Sequence, residues 1–173
     1  AERHKGMPVM TPAIDPSRVS EAFMGLIGRL LNSPERYMDS QLAFWQDYVR
    51  LCQAAVARMT GQEAETVITP APNDKRFQDA AWQDVWLFDF IKQSYLLTAR
   101  WAQSMVKKVD GLDPKVARKI DFYTRHMVDA IAPSNFWLTN PEVLRATIET
   151  GGENLVKGLE RLLGDLDRGQ GQL

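Results

Sequence analysis

The sequence has little of the chemistry that holds disulfide-rich or metal-dependent folds together, with one cysteine and two histidines in 173 residues. Cys52 has no second cysteine with which to form an internal disulfide bond, which fits a reducing cytoplasm. His4 and His126 do not have the spacing of a His-Glu-x-x-His or paired Glu-x-x-His site. We therefore expect no disulfide framework and no bound metal.

Long apolar runs, an excess of one charge and glycine-rich phosphate loops are also absent. No uncharged run reaches the roughly 18 residues of a membrane span, and residues 1–12 do not lead into the apolar core of a signal peptide. We expect neither a transmembrane segment nor a secretory leader.

The 21 basic and 22 acidic residues give a net charge of −1, which argues against nucleic-acid binding. Since neither a P-loop nor a Gly-x-Gly-x-x-Gly motif occurs, we predict no cofactor.

Proline residues that directly follow a capping side chain mark four helix starts. These are Asp15-Pro16, Ser33-Pro34, Asp113-Pro114 and Asn140-Pro141. Apolar residues recur at intervals of three and four after each start, and no alternating strand pattern occurs. The sequence therefore predicts an all-α fold, an irregular bundle of about five to six helices, in which Gly151-Gly152 breaks or bends the last helical stretch.

Residues 62–73 lose the helical period and carry Pro70 and Pro72. The Pro-x-Pro spacing favours an extended and semi-rigid backbone. We predict that this segment is a linker, which separates a helical front region, 1–61, from a helical rear region, 74–173.

Neither Cys52 nor His126 has a context typical of catalysis. Cys52 falls on the apolar stripe of the second predicted helix and lacks the flanking glycines of a nucleophile elbow, so we expect a buried core residue. His126 is expected to be a partly exposed residue near a helix C-terminus. We predict no catalytic residues. The alternative of an uncharacterised helical-bundle enzyme would require a pocket with shifted titrating groups.

A loop between two prolines carries three large apolar residues in succession, Phe136, Trp137 and Leu138. Loops usually lie on the surface, where such a cluster is unfavourable. The cluster either plugs one end of the helical core or docks on a partner domain. Trp82 and Trp86, in the turn before a long apolar-rich helix, present the same two alternatives. These five residues form our candidate interaction surface.

Three stretches of the rear region carry a family resemblance: DKRFQDAAW, FDFIKQSYLLTARW and APSNFWLTNPEVLRATIETGGENLVKGLE. They are similar to the N-terminal domain of class I polyhydroxyalkanoate synthases, the enzymes that make poly-3-hydroxybutyrate and related polyesters. The resemblance covers residues 74–173, while residues 1–61 resemble the more variable leading region of these synthases. It implies that this chain is the helical N-terminal domain of such an enzyme.

The parent activity that the resemblance implies is an acyltransferase reaction, in which (R)-3-hydroxyacyl-CoA thioesters are polymerised and CoA is released. The family's cysteine nucleophile lies in a Gly-x-Cys-x-Gly elbow on a C-terminal α/β-hydrolase domain, and no such elbow occurs in this sequence. We therefore expect no catalysis by this chain alone. The resemblance implies roles in homodimer formation, in contact with the catalytic domain and in attachment to the cytoplasmic polymer granule or its associated proteins.

A second hypothesis is a free-standing adaptor whose amphipathic helices lie on the surface of the granule. The first predicted helix is the best candidate for this contact. Its apolar residues recur at intervals of three and four and so share one face. They are Val19, Phe23, Leu26, Ile27 and Leu30.

Overall fold

The computed structural model describes residues 16–32, 34–108 and 113–168. In these ranges the chain forms helices and no strand, which confirms the predicted all-α class. The helices are α1 (Pro16–Asn32), α2 (Glu35–Met59), α3 (Ala81–Asp84), α4 (Trp86–Lys107), α5 (Pro114–Ala130), α6 (Pro141–Glu149) and α7 (Glu153–Arg168). Two 3-10 turns, Lys75–Phe77 and Pro133–Asn135, precede α3 and α6.

The starts of α5 and α6 follow the predicted capping chemistry. The Asp113 carboxylate accepts hydrogen bonds from the Lys115 and Val116 backbone N–H groups at 2.8 and 3.3 Å, and Pro114 is the first residue of α5. Asn140 caps α6 in the same way, ahead of Pro141. Helix α1 begins at the predicted Pro16 and α2 begins one residue after Pro34. The predicted capping residues Asp15 and Ser33 lie outside the described residues.

Glycines in left-handed backbone conformation end two of the helices. Gly61 follows α2 with φ of +79°, and Gly151 and Gly152 separate α6 from α7 with φ of +59° and +92°. Glycine adopts these angles without the steric cost that a Cβ atom brings. The predicted interruption at Gly151-Gly152 is therefore a complete break.

Helix α4 is the centre of the assembly, because α2, α3 and α5 all pack on it, while α1 packs on α5. Leu51 of α2, Leu97 of α4 and Ile120 of α5 are among the most deeply buried side chains. The helices of the predicted front region thus lie directly on those of the predicted rear region.

The segment 62–73 has no helix and runs beside α4. Its Val67 and Ile68 backbone N–H groups donate hydrogen bonds of 2.8 and 3.1 Å to the Gln93 side-chain oxygen. At its start, Arg58 donates to the Ala64 carbonyl oxygen at 2.8 Å. Side chains of α2 and α4 therefore hold the predicted linker in place.

Cys52 is exposed, which contradicts the prediction of a core cysteine. Helix α2 contacts α4 through the face that carries Leu51, and Cys52 lies on the next face around the helix. The apolar arc of α2 is wider than the part that α4 covers. Periodicity identifies the arc but not which part of it is covered.

Candidate interaction surface

The loop before α6 places its three apolar side chains on the protein surface. Phe136, Trp137 and Leu138 are 50%, 44% and 60% exposed, respectively. They therefore do not plug the helical core, and of the two alternatives only a surface role is compatible with their position.

Polar side chains of the same loop donate hydrogen bonds to backbone carbonyl oxygens and hold the loop. The Asn135 amide donates to the Asp129 carbonyl oxygen at 2.8 Å, the Thr139 hydroxyl donates to the Pro133 carbonyl oxygen at 2.7 Å, and the Asn140 amide donates to that of Ser134 at 2.8 Å. The loop is thus built to present its apolar residues.

Trp82 does not belong to this surface, which corrects the sequence prediction. It is 1% exposed and packs edge to face on Phe77, with ring centroids 5.0 Å apart, and on Phe88, at 5.9 Å. The short helix α3 folds back on α4 and carries the indole into the core. Trp86, four residues later at the start of α4, remains exposed.

Trp86 and the loop lie at the same end of the α4–α5 pair. Arg76 donates to the Tyr95 hydroxyl on α4 and to the Asp129 carboxylate on α5, both at 2.9 Å, so the end of α5 lies beside the first half of α4. The turn at Pro133–Asn135 also contacts α4. We call the four exposed residues at this end, Trp86, Phe136, Trp137 and Leu138, the aromatic face.

The candidate granule helix is only partly available to a surface. Leu26 is buried with Tyr37, Val106 and Ile120, because α1 packs on α5, and Phe23 lies against this cluster. Ile27 is exposed. The side chains of Val19 and Leu30 lie outside the described residues. Leu26 is therefore a core residue rather than a surface contact.

A buried polar network connects α2, α3 and α4, and sequence reasoning missed it. The Asp89 carboxylate accepts from the Lys92 ammonium at 2.9 Å, from the Gln93 amide at 2.7 Å and from the Arg58 guanidinium. Lys92 also donates to the Trp82 carbonyl oxygen at 2.7 Å. The sequence does carry a signal for this network, namely the polar residues at positions 89, 92 and 93 of an otherwise apolar-rich helix. Their spacing places them together on one face of that helix.

A second polar cluster lines a groove of about 410 Å³ beside α4. The Arg76 guanidinium donates to both Asp74 oxygens and lies 5.6 and 5.5 Å from the ring centroids of Phe77 and Tyr95. The hydrogen bond from Arg76 lowers the pKa of Asp74, and burial raises the pKa of Tyr95. Near neutral pH the Asp74 carboxylate therefore stays ionised and the Tyr95 hydroxyl stays protonated, so neither group is suited to exchanging protons at that pH. The groove does not support the alternative of a helical-bundle enzyme.

Metal ligation and membrane insertion find no support in the described ranges. No three carboxylate, cysteine or histidine side chains come together there as metal ligands. Likewise, none of the helices in those ranges has the length and hydrophobicity that crossing a bilayer requires.

Comparison with known protein families identifies the family of this chain. The family described as poly-beta-hydroxybutyrate polymerase (PhaC) N-terminus matches residues 73–173. This chain belongs to that family. The match begins one residue before the predicted rear region and includes the whole aromatic face, as well as Asp89, Lys92 and Gln93.

Individual relatives of this PhaC N-terminus are polymerases. The poly(3-hydroxyalkanoate) polymerase of Methylorubrum extorquens is 45% identical over 143 residues, which are 83% of this chain and 24% of that protein. The polymerase subunit PhaC of Rhizobium etli is 34% identical over 184 residues, covering 100% of this chain and 28% of its own length. That of Cupriavidus necator is 34% identical over 138 residues, 80% of this chain and 22% of its own length.

The chain thus spans about a quarter of the length of these relatives. No solved structure gives a significant match to it. Helices α1 and α2 precede the part that the family description matches, and Arg58 of α2 reaches into that part through its contact with Asp89.

Two carboxylates of this PhaC N-terminus should make its free energy of unfolding decrease at acidic pH. Arg76 lowers the pKa of Asp74, and the Ala81 backbone N–H together with Arg145 lowers the pKa of Asp79, both from a usual value of 3.8. A carboxyl group with a lowered pKa in the folded state contributes stability above its unfolded pKa, and this contribution is lost as the pH falls through the folded pKa. We expect the free energy of unfolding to fall below about pH 4.

Urea unfolding at a series of pH values measures this dependence. The double variant Asp74→Asn, Asp79→Asn is expected to be less stable at neutral pH and to lose less stability on acidification than the unchanged chain. Glu153→Gln, at an exposed carboxylate, serves as the control. Equal pH profiles for the double variant and the unchanged chain would contradict the assignment.

Proposed function

We propose that this chain is the non-catalytic N-terminal domain of a class I polyhydroxyalkanoate synthase. The synthase polymerises (R)-3-hydroxyacyl-CoA thioesters and releases CoA, and this domain supports its dimerisation, the activity of its catalytic part and its attachment to the cytoplasmic polyester granule. The names of the relatives and the family match support the parent activity. The observation that carries the accessory role is the aromatic face.

The aromatic face has the composition of a docking site for another folded domain. Tryptophan and phenylalanine are enriched at the centres of protein interfaces, where they contribute much of the binding free energy. The hydrogen bonds that Asn135, Thr139 and Asn140 donate to backbone carbonyl oxygens hold the loop in place before any partner arrives. Little ordering entropy is then lost on binding. We assign this face to the catalytic part of the synthase.

Attachment to the granule is supported by the outward side of α1. Met24, Ile27 and Leu31 are exposed, and their spacing of three and four residues places them on one side of the helix. Leu26 faces the core and anchors α1 to the rest of the domain. A helix that is anchored on one side and apolar on the other is suited to an interface with a hydrophobic polymer.

Exchanging the counterpart region of the Methylorubrum extorquens polymerase for this chain tests the contact with the catalytic part. The exchange enzyme should release CoA from (R)-3-hydroxybutyryl-CoA, whereas this chain alone should release none. Replacing Phe136, Trp137 and Leu138 with serine should lower CoA release by roughly tenfold or more, because the docking contacts are lost.

The matched control substitutes serine for three apolar residues of similar exposure: Phe122 and Met127 of α5, and Ile131, which directly follows α5. This control should retain activity. Unchanged CoA release by the loop variant would contradict the docking role of the aromatic face. A loss of helical circular dichroism in that variant would instead assign the loop to stabilisation of the fold.

A further inference from the structure

Helix α2 carries an exposed apolar stripe along most of its length. The stripe lies beside the buried face that meets α4, and all of its side chains are exposed. We call it the α2 seam. Its residues are Met38, Leu42, Trp45, Val49, Cys52, Val56 and Met59.

The spacing of the α2 seam is that of a coiled coil. Its residues follow one another at alternating intervals of four and three, without a slip, over three heptads. This gives a mean period of 3.5 residues, which keeps an apolar line facing a second helix. Contact with a flat surface requires only a broad apolar face with a period of 3.6. The pattern therefore favours a helix as the occupant.

The positions that border the α2 seam are almost free of charge. One side carries a single acidic residue and two glutamines, and the other side carries glutamine, tyrosine and alanine, so none of these six positions holds lysine or arginine. These residues are Asp39, Gln46 and Gln53 on the first side, and Gln41, Tyr48 and Ala55 on the second. Two identical seams can approach with little electrostatic repulsion. Helices that lie on membrane-like surfaces are typically rich in lysine and arginine.

Side-chain size also suits pairing of the seam with itself. The bulky Met38, Leu42 and Trp45 occupy one half of the seam and the smaller Val49, Cys52 and Val56 most of the other half, and Trp45 and Val49 line a shallow apolar depression. Large side chains of one copy can then fill the space beside small ones of the other. The seam is about 32 Å long and one helix wide, which is small for a permanent interface, so we expect a concentration-dependent dimer.

We propose that the α2 seam is the contact between two copies of this chain, which pair through their α2 helices. The inference deepens the dimerisation part of the proposed function by naming its surface. Its test measures only the association of two copies of this chain. A negative result would therefore not bear on docking of the aromatic face on the catalytic part. Likewise, a negative result for that docking would not bear on pairing through the α2 seam.

Sedimentation of the full 173-residue chain over a range of concentrations tests the proposal. The unchanged chain should form a dimer, and the double variant Val49→Glu, Val56→Glu should raise the dissociation constant at least about tenfold with unchanged helical circular dichroism. The matched control Phe122→Glu, Met127→Glu changes two apolar residues of comparable exposure on α5 and should still form a dimer.

Cross-linking of the unchanged chain provides a second measurement. It tests pairing through the α2 seam even if the seam variant does not fold. Cys52 lies about one helical turn from the midpoint of the seam, so a short bis-maleimide should link two copies whichever direction the helices take. A chain that sediments as a monomer at every concentration would overturn the proposal. So would a dimer that the seam variant leaves intact, or a dimer that cannot be linked through Cys52.

Discussion

Replacing Asp89 with alanine is expected to lower the free energy of unfolding by about 3–5 kcal/mol, the usual cost of removing one partner from a buried ion pair. Asp89 is the shared acceptor for the Lys92 ammonium, the Arg58 guanidinium and the Gln93 amide. Without the carboxylate, the positive charges of Lys92 and Arg58 remain largely buried beside each other with no counter-charge. Desolvation of these charges in the folded state then favours unfolding.

Urea unfolding followed by circular dichroism measures this loss. Glu153→Ala removes the acidic partner of Lys157 in an exposed pair on α7 and should cost no more than about 0.5 kcal/mol. If Asp89→Ala cost as little as Glu153→Ala, the network would not be a buried, mutually dependent unit.

Replacing Trp82 with alanine is expected to lower the free energy of unfolding by about 3–5 kcal/mol for a different reason, the cavity that the lost indole leaves. Trp82 is almost fully buried between Phe77 and Phe88, so the neighbouring rings can fill only part of the space. The Lys92 hydrogen bond to the backbone of Trp82 remains available in the variant. The expected loss therefore reports side-chain packing.

Thermal unfolding of Trp82→Ala should show a midpoint roughly 6–20 °C lower, at about 2–4 °C for each kcal/mol. Trp137→Ala removes the same side chain from the aromatic face, where it is already about half exposed, and should shift the midpoint by no more than a few degrees. Equal shifts for the two tryptophans would contradict the separation between a core residue and a surface residue.

Much of the helical framework could be predicted because its determinants are local. Asp113-Pro114 and Asn140-Pro141 start helices through hydrogen bonds to backbone groups two and three residues away, and Gly151-Gly152 breaks one through its backbone angles. The sequence predicts about five to six helices, and the described residues form seven. The difference comes from the short α3 and from the complete break before α7, two features that periodicity leaves ambiguous.

The candidate site could be predicted only in part. Phe136, Trp137 and Leu138 stood out because large apolar residues are unusual in a loop, and the structure places them on the surface. Trp82 looked equivalent in the sequence, yet α3 turns it into the core. The Asp89 network joins Arg58 to a helix 31 positions later, a separation at which sequence periodicity carries no information.

By itself, the sequence determined the all-α class, the capped helix starts, the missing nucleophile elbow and the family resemblance, because each depends on neighbouring residues or on a recognisable run of them. Only the tertiary structure decided that Trp82 and Leu26 are buried, and that Cys52 and the rest of the α2 seam are exposed. The physical reason is that an apolar stripe records where a helix is able to pack. Which part of the stripe is covered depends on the neighbours that the folded chain brings against it, and on α2 that neighbour, α4, covers only one side.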